Sequence, residues 1–232
     1  MIEPGKGMVI FNPTAGARDV HRELERVMAY LESCGWQLAL RETRSRGDAT
    51  TFAREAAATG FHAVFVVGGD GTINETVNGL VGSEVALGLL PSGTGNVWAL
   101  ELGLPIPSPV HWHPLLGAAK AMLAGQVRRV DVGRAGERHF LLWAGVGLDA
   151  AVTEQIEPRP RAKKRLGSLA YVVAAVLVAK DFTGTRVEVN VDGQQVRARA
   201  LLIVVSNTQL YGRILRIASQ ARLDDGLLDV CI

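Results

Sequence analysis

Apolar positions in the first half of the chain follow two alternating rhythms. "GMVIFNP" (Gly7–Pro13) is an almost unbroken apolar run, the pattern of a strand buried on both faces. In the next stretch, "RDVHRELERVMAYLESCG", Val20, Leu24, Val27, Met28 and Leu31 recur at three- and four-residue intervals until Gly35, which predicts a helix with one buried face. "QLALRET" predicts a second strand, and "DATTFAREAAATG" a second helix with Asp48 as its N-cap. "HAVFVVGG" is a third strand, "TINETVNGLV" a helix, "VALGLLP" a fourth strand and "NVWALELGL" another helix. Strands alternating with helices of about 10–15 residues predict right-handed βαβ units and a parallel sheet.

The texture changes at "PIPSPVHWHP" (Pro105–Pro114), whose four prolines read as a linker. A helix is predicted at Pro114–Ala124, and beyond Gly125 the strands come in pairs. "VRRVDVGRAG" pairs with "ERHFLLWAGVG", and "TRVEVNVDGQQVRARALLIVV" folds on itself at Asp192-Gly193, a strong hairpin signal. One helix, "RLGSLAYVVAAVLVAK", is inserted between the pairs. The expected fold is therefore an α/β parallel-sheet domain at residues 1–125, followed at 126–232 by an antiparallel β-rich domain.

Composition narrows this only slightly. The 232 residues, 48% hydrophobic and 21% charged, can build a sizeable core, and the net charge of +2 gives no reason to expect a nucleic-acid partner. Cys34 and Cys231 stand far apart without a metal-binding motif, so a reducing cytoplasm is the expected compartment. The apolar stretch Leu166–Ala179 is shorter than the ~20 residues that span a bilayer.

The chemistry-bearing signal is the loop Gly68-Gly69-Asp70-Gly71, between the third strand and the helix that opens at Thr72. Open α/β sheets bind ligands at the carboxyl ends of their strands, where backbone N–H groups and the helix dipole favour an anion. Glycine lets a phosphate approach without a Cβ in the way, and Asp70 beside a polyphosphate suits Mg²⁺ or the orientation of a hydroxyl. The bland alternative is a tight turn that simply needs glycine. Three further loops argue for the anion site: "FNPTAG", "RETRSRGD" and "LPSGTGN" follow the first, second and fourth strands. The P-loop, the Rossmann fingerprint in the first strand-to-helix turn, GxSxG and HExxH are all absent. "GVGLDA" (Gly145–Ala150) is only a fragment of the Rossmann pattern and falls in the second domain.

Taken in order, "FNPTAG", "VVGGDGTINETVNGL", "LPSGTGNVWALELGLP" and "LDDGLLDV" resemble the diacylglycerol kinase catalytic-domain family, which includes bacterial lipid kinases and sphingosine kinases. "GGDGT" is shared with NAD kinases and phosphofructokinases, whereas "GGDGTINE" followed by "GTGN" marks the lipid-kinase branch. The resemblance implies an α/β nucleotide domain, a β-sandwich domain and an active site in the cleft between them. It implies that Asn12, Thr43, Gly68, Gly69, Asp70, Gly71, Thr72, Asn74, Glu75 and Thr94 contact ATP or its metal, with Asp70 acting on the Mg²⁺ and phosphate chemistry. It makes Asp225 a ligand of a structural magnesium, completed by the Arg222 and Leu227 carbonyls; from the residues alone, Asp224-Asp225-Gly226 reads as a solvated β-turn.

Three departures from the family pattern stand out. Asn96-Val97-Trp98 replaces the frequent Asn-Asp-Phe, which removes a carboxylate at position 97, and Arg213-Ile214 stands where glycines are usual. Family members continue to a glutamate that serves as general base, and no residue up to Ile232 is assignable to that role. The sandwich is accordingly expected to be incomplete, as in a fragment or a shortened relative.

The basic run "EPRPRAKKR" (Glu157–Arg165) reads as a solvated loop first and an anchor to anionic lipid second. The His111/His113 pair reads as linker, and Trp98 and Trp143 as packing residues. The leading expectation is an ATP- and Mg²⁺-dependent kinase of a lipid hydroxyl, taking its substrate from a membrane surface, in the cytoplasm or peripheral at the inner membrane face. An NAD-kinase-like enzyme and a catalytically silent nucleotide- or lipid-binding module are the alternatives. The acceptor lipid and a homo-oligomeric state stay open.

Overall fold

In the computed structural model the described residues are 3–108, 114–147, 184–213 and 215–232. The helix expected from the sequence at Arg165–Lys180, the basic run before it, the His111/His113 pair, Ile214 and the end of "GVGLDA" lie outside them. The chain divides into two compact units, Met1–Leu141 and Leu142–Ile232.

The first unit is built on four parallel strands: β1 (Lys6–Phe11), β2 (Gln37–Glu42), β3 (Ala63–Gly68) and β4 (Ala86–Pro91), in the order β2-β1-β3-β4. β3 is buried along its whole length and β1 along all but its first residue, which is why both are written as continuous apolar runs. Between the strands run α1 (His21–Ser33), α2 (Asp48–Ala58) and α3 (Asp70–Leu80); α4 (Val97–Glu101) and α5 (Pro114–Ala124) follow β4. Val9, Phe11, Phe65 and Val67 point to one sheet face, where Leu24, Val27 and Leu31 of α1 and Leu115, Ala118 and Ala119 of α5 bury them. The intervening Met8, Ile10, Val64 and Val66 are equally buried on the opposite face, alongside Ala49, Ala53 and Ala56 of α2. Each of the larger side chains contributes about 1.5–3 kcal/mol by leaving water. Glu23 is the exception inside this layer: its carboxylate is buried and accepts the Leu115 N–H at 2.8 Å, which closes the first turn of α5.

The predicted βαβ pattern therefore holds, with local corrections. Asp48 is not an N-cap. That position belongs to Gly47, in the left-handed region at φ 93°, and Asp48 is the first helical residue. Its carboxylate reaches backwards instead, accepting the N–H groups of Arg44 and Ser45 at 2.8 Å each and the Ser45 hydroxyl at 2.9 Å. α3 begins two residues earlier than Thr72, so that Asp70 and Gly71 form its first turn.

The predicted pair "VRRVDVGRAG" and "ERHFLLWAGVG" is shorter than its pattern. Residues 127–131 form no strand, and Val127, at 59% exposure, buries nothing that would hold one there. Only β5 (Gly133–Ala135) and β6 (Arg138–Phe140) make the hairpin. The apolar run continues into β7 (Trp143–Gly147), which belongs to the second unit and pairs with β10 (Leu202–Ser206).

In the second unit β8 (Thr185–Val191) and β9 (Gln194–Ala200) form the predicted hairpin. Its turn residues Asp192 and Gly193 have φ of 50° and 83°, the positive pair a tight two-residue turn demands. A three-stranded antiparallel sheet, β13-β10-β7, includes β13 (Asp229–Cys231), while β11 (Leu210–Tyr211) and β12 (Leu215–Arg216) make a short ribbon. Trp143 packs on Tyr211 with ring centroids 5.0 Å apart. Among the described residues no helix is long and apolar enough to cross a membrane.

Candidate phosphate-binding site and family

The strand order reverses between β1 and β3, so the loops leaving these two strands diverge and open a crevice at their carboxyl ends. Asn12, one residue past β1, ties the two loops together. Its N–H donates to the Val67 carbonyl at 2.9 Å and its Nδ2 to Thr72 Oγ1 at 2.9 Å, while its Oδ1 accepts from the Thr14 N–H and hydroxyl. Thr72 is thereby held buried in the first turn of α3. On the other side of β1, the Thr43 N–H continues the ladder to the Phe11 carbonyl at 2.8 Å.

The loop after β4 presses on the loop after β3, backbone to backbone. A Cβ on Gly69 would stand 3.1 Å from Gly93 Cα, and a Cβ on Gly95 would stand 2.7 Å from Asp70 Oδ2. The glycine that the fold itself requires here is Gly93, whose Cβ would run into the backbone of Gly69. Asp70 uses this proximity: its Oδ1 accepts the N–H of Trp98, in the first turn of α4, at 3.1 Å. Trp98 itself is a packing residue, 3% exposed.

Gly71 differs from its neighbours. It is exposed, its φ is not positive, and nothing lies within 4 Å of where its Cβ would be. Alanine would fit the space and would favour the helix by about 1 kcal/mol. Nothing in the fold asks for glycine here, whereas a group lying directly on the backbone at the N-terminus of α3 would. The neighbouring loop carries polar atoms of the same kind of significance. Ser92 Oγ and Asn96 Oδ1 are buried without a hydrogen-bond partner among the described residues, and Asn96 adopts a left-handed φ of 52° while its Nδ2 donates to the Gly93 carbonyl at 2.7 Å. Both belong to the "LPSGTGN" loop, but neither is among the ATP contacts that the resemblance implies.

The remaining expected residues sit further along α3. Glu75 Oε2 accepts the Gly47 N–H at 2.9 Å, and the Asn74 side chain donates to the His139 carbonyl of β6 at 3.2 Å. Glu75 therefore opens onto a second space, a cavity of about 370 Å³ also lined by Arg46, Gly47, Thr50, Asn78 and Arg138. Thr94 is half-buried in the loop after β4. Thus Asn12, Gly68, Gly69, Asp70, Gly71 and Thr72 converge on one end of α3, whereas Glu75 lines the cavity beside it and the Asn74 side chain is turned to the backbone of β6. In the second unit Asp225 Oδ1 accepts the Leu227 N–H at 3.1 Å in an exposed turn, with Gly226 at φ 75°. Among the described residues no three His, Cys, Asp or Glu side chains gather around a common point for a metal.

The family model of the diacylglycerol kinase catalytic domain matches residues 6–135, which contain every loop of this site. The chain belongs to that family. A second model, the YegS C-terminal NAD kinase beta sandwich-like domain, matches residues 143–232 and so covers the antiparallel unit of this family member. Diacylglycerol kinase of Bacillus subtilis (strain 168) is 32% identical over 98% of this chain and 73% of its own length. Diacylglycerol kinase of Staphylococcus carnosus (strain TM300) is 29% identical over 98% and 72%. A solved diacylglycerol kinase structure from Bacillus anthracis str. Sterne superposes with a TM-score of 0.76 at 31% identity, over 97% of this chain and 72% of the other. A second solved chain from that organism reaches 0.81 at 32% identity with the same coverage.

Proposed function

We propose that this member of the diacylglycerol kinase catalytic domain family transfers the γ-phosphate of ATP to a hydroxyl of diacylglycerol or a closely related lipid. The observation that carries the reading is Gly71, an exposed glycine with open space about it, at a helix N-terminus whose surrounding loops are all tied down. Polyphosphate lying against those N–H groups accounts for a residue choice that the fold leaves unexplained. The nucleoside end of ATP then lies along α3 towards Glu75.

Phosphoryl transfer asks a protein for alignment and charge neutralisation more than for covalent chemistry. The Asn12–Thr72 bond fixes the two loops around the phosphates, and the Trp98 N–H orients the Asp70 carboxylate at their edge. Mg²⁺, when bound, supplies neutralisation of the phosphate charge, and Asp70 is the acidic residue placed to attract it there. Asp225, with the Arg222 and Leu227 carbonyls, offers hard oxygen donors for a structural Mg²⁺ in the second unit. The acceptor is met at a membrane surface, with the protein peripheral to the inner face.

The test is transfer from γ-labelled Mg·ATP to a panel of diacylglycerol, ceramide, sphingosine, phosphatidylglycerol and NAD, with Asp70→Asn as control. Label in diacylglycerol that vanishes in the variant is expected. Label in NAD alone, or in nothing, overturns the proposal.

A further inference from the structure

Asn78, two turns into α3 from the phosphate loop, uses every polar atom of its side chain. Its Nδ2 donates to the Asn74 carbonyl at 2.8 Å and to the His139 carbonyl at 2.9 Å, and its Oδ1 accepts the His139 N–H at 2.8 Å. Giving to and taking from the backbone of one residue is what a neighbouring strand does in a ladder. His139 lies opposite Arg134 in the β5–β6 pair, and its own backbone groups turn to Asn78 instead. Asn78 thus stands where a third strand would, at the free edge of β6, and Asn74 adds a second donor to the same carbonyl.

This latch matters because the hairpin is short. Each strand is three residues long, and a two-stranded hairpin on its own is marginal in water. Yet it carries Ala135, Glu137 and Arg138, which form one wall of the cavity that Glu75 opens onto. At 1.5 Å of rise per residue, Gly71 and Glu75 stand about 6 Å apart along α3, so the nucleoside of an ATP whose phosphates rest at Gly71 is within reach of that cavity.

We propose that Asn78 is a positioning residue for nucleotide recognition: by docking the β5–β6 hairpin on α3, it closes the cavity that receives the part of ATP beyond its phosphates. This rests on the ATP reading given above. The hairpin wall contributes to binding ATP and contributes nothing to binding a bare polyphosphate.

The full chain and its Asn78→Leu variant are to be titrated calorimetrically with ATP and with inorganic tripolyphosphate, both with Mg²⁺, and hydrogen exchange followed at the His139 amide. Loss of these contacts is expected to weaken ATP about tenfold, leave tripolyphosphate within about twofold and speed exchange at His139. An equal loss for both ligands overturns the proposal, since it marks general damage. So does unchanged ATP affinity with His139 released. Arg138→Ala, a change at an exposed side chain that leaves the latch intact, repeats the comparison from the wall itself and is expected to weaken ATP selectively. A wild-type chain that binds both ligands equally defeats this inference alone. One that binds neither defeats the ATP reading, and this inference with it.

Discussion

The carboxylate of Asp70 accepts the backbone N–H of Trp98 at 3.1 Å, joining the first turn of α3 to the first turn of α4. One oxygen therefore has a structural duty, whereas the charge is the part that the proposed function needs, and substitutions separate the two. Asparagine keeps an acceptor at the same place and removes the charge; alanine removes both. Asp70→Asn is expected to unfold in urea within about 0.5 kcal/mol of wild type while phosphoryl transfer falls about 100-fold or more. Asp70→Ala should lose the activity and, in addition, about 1 kcal/mol of stability, as for other lost helix-end acceptors. Equal stability losses for the two variants would show that the bond to Trp98 contributes nothing to the fold.

Gly71 yields the sharpest separation of fold from function. Its backbone conformation suits any residue and its surroundings are open, so Gly71→Ala is expected to stabilise the chain by about 0.5–1 kcal/mol in urea unfolding. The same methyl group would stand where the phosphates are proposed to lie. ATP affinity, measured by titration calorimetry, is expected to fall about tenfold or more. A stabilised variant that binds ATP like wild type removes the phosphates from this end of α3.

Much of this was legible because its signals are local. β1 and β3 are buried on both faces, so their sequences could hardly be other than apolar runs, and the Asp192-Gly193 turn announces itself through the positive φ it needs. The crowding of small residues at the strand ends likewise marked the place where the loops after β3 and β4 approach backbone to backbone. What stayed hidden depends on partners distant in sequence. The apolar run through Leu141 and Leu142 gives no sign that its first strand pairs with β5 and its second with β10. The bonds from Asn78 to His139 cross 61 residues, and side-chain-to-backbone pairing leaves no periodic trace. Asp48 falls one residue past the cap position its sequence pattern predicts, because Gly47, in the left-handed region, takes that place.

Glu23 is a carboxylate in an apolar layer, 9% exposed, and its Oε1 is the acceptor for the Leu115 N–H at 2.8 Å. Removing it leaves a buried donor unmet at the start of α5 and a gap between α1 and α5. Glu23→Ala is expected to cost about 1–3 kcal/mol in urea unfolding. Glu23→Gln keeps an oxygen for the same bond and is expected to recover most of that loss. If the two variants are equally unstable, the charge rather than the hydrogen bond holds the helices together.

The loop after β2 has a pH dependence whose sign is fixed by Asp48. Its carboxylate accepts N–H bonds from Arg44 and Ser45 and the Ser45 hydroxyl, and these donors, the backbone ones foremost, hold it below the ordinary aspartate value. A depressed folded value means that the anchoring is fully present above the unfolded-chain value, near pH 4, and fades as pH falls through the lower folded value. Raising the pH above neutrality should do nothing. Carbon-detected NMR titration of the Asp48 carboxyl is expected to give a midpoint below that of a model peptide, with the Arg44 and Ser45 amides shifting along the same curve. In Asp48→Asn those amides should not titrate with it. Because the same loop presents Arg46 and Gly47 to the cavity beside Glu75, ATP affinity is expected to decline over the same acidic range in wild type and to lose that component of its pH dependence in Asp48→Asn. A midpoint at or above the model-peptide value would mean that the carboxylate does not hold this loop in solution.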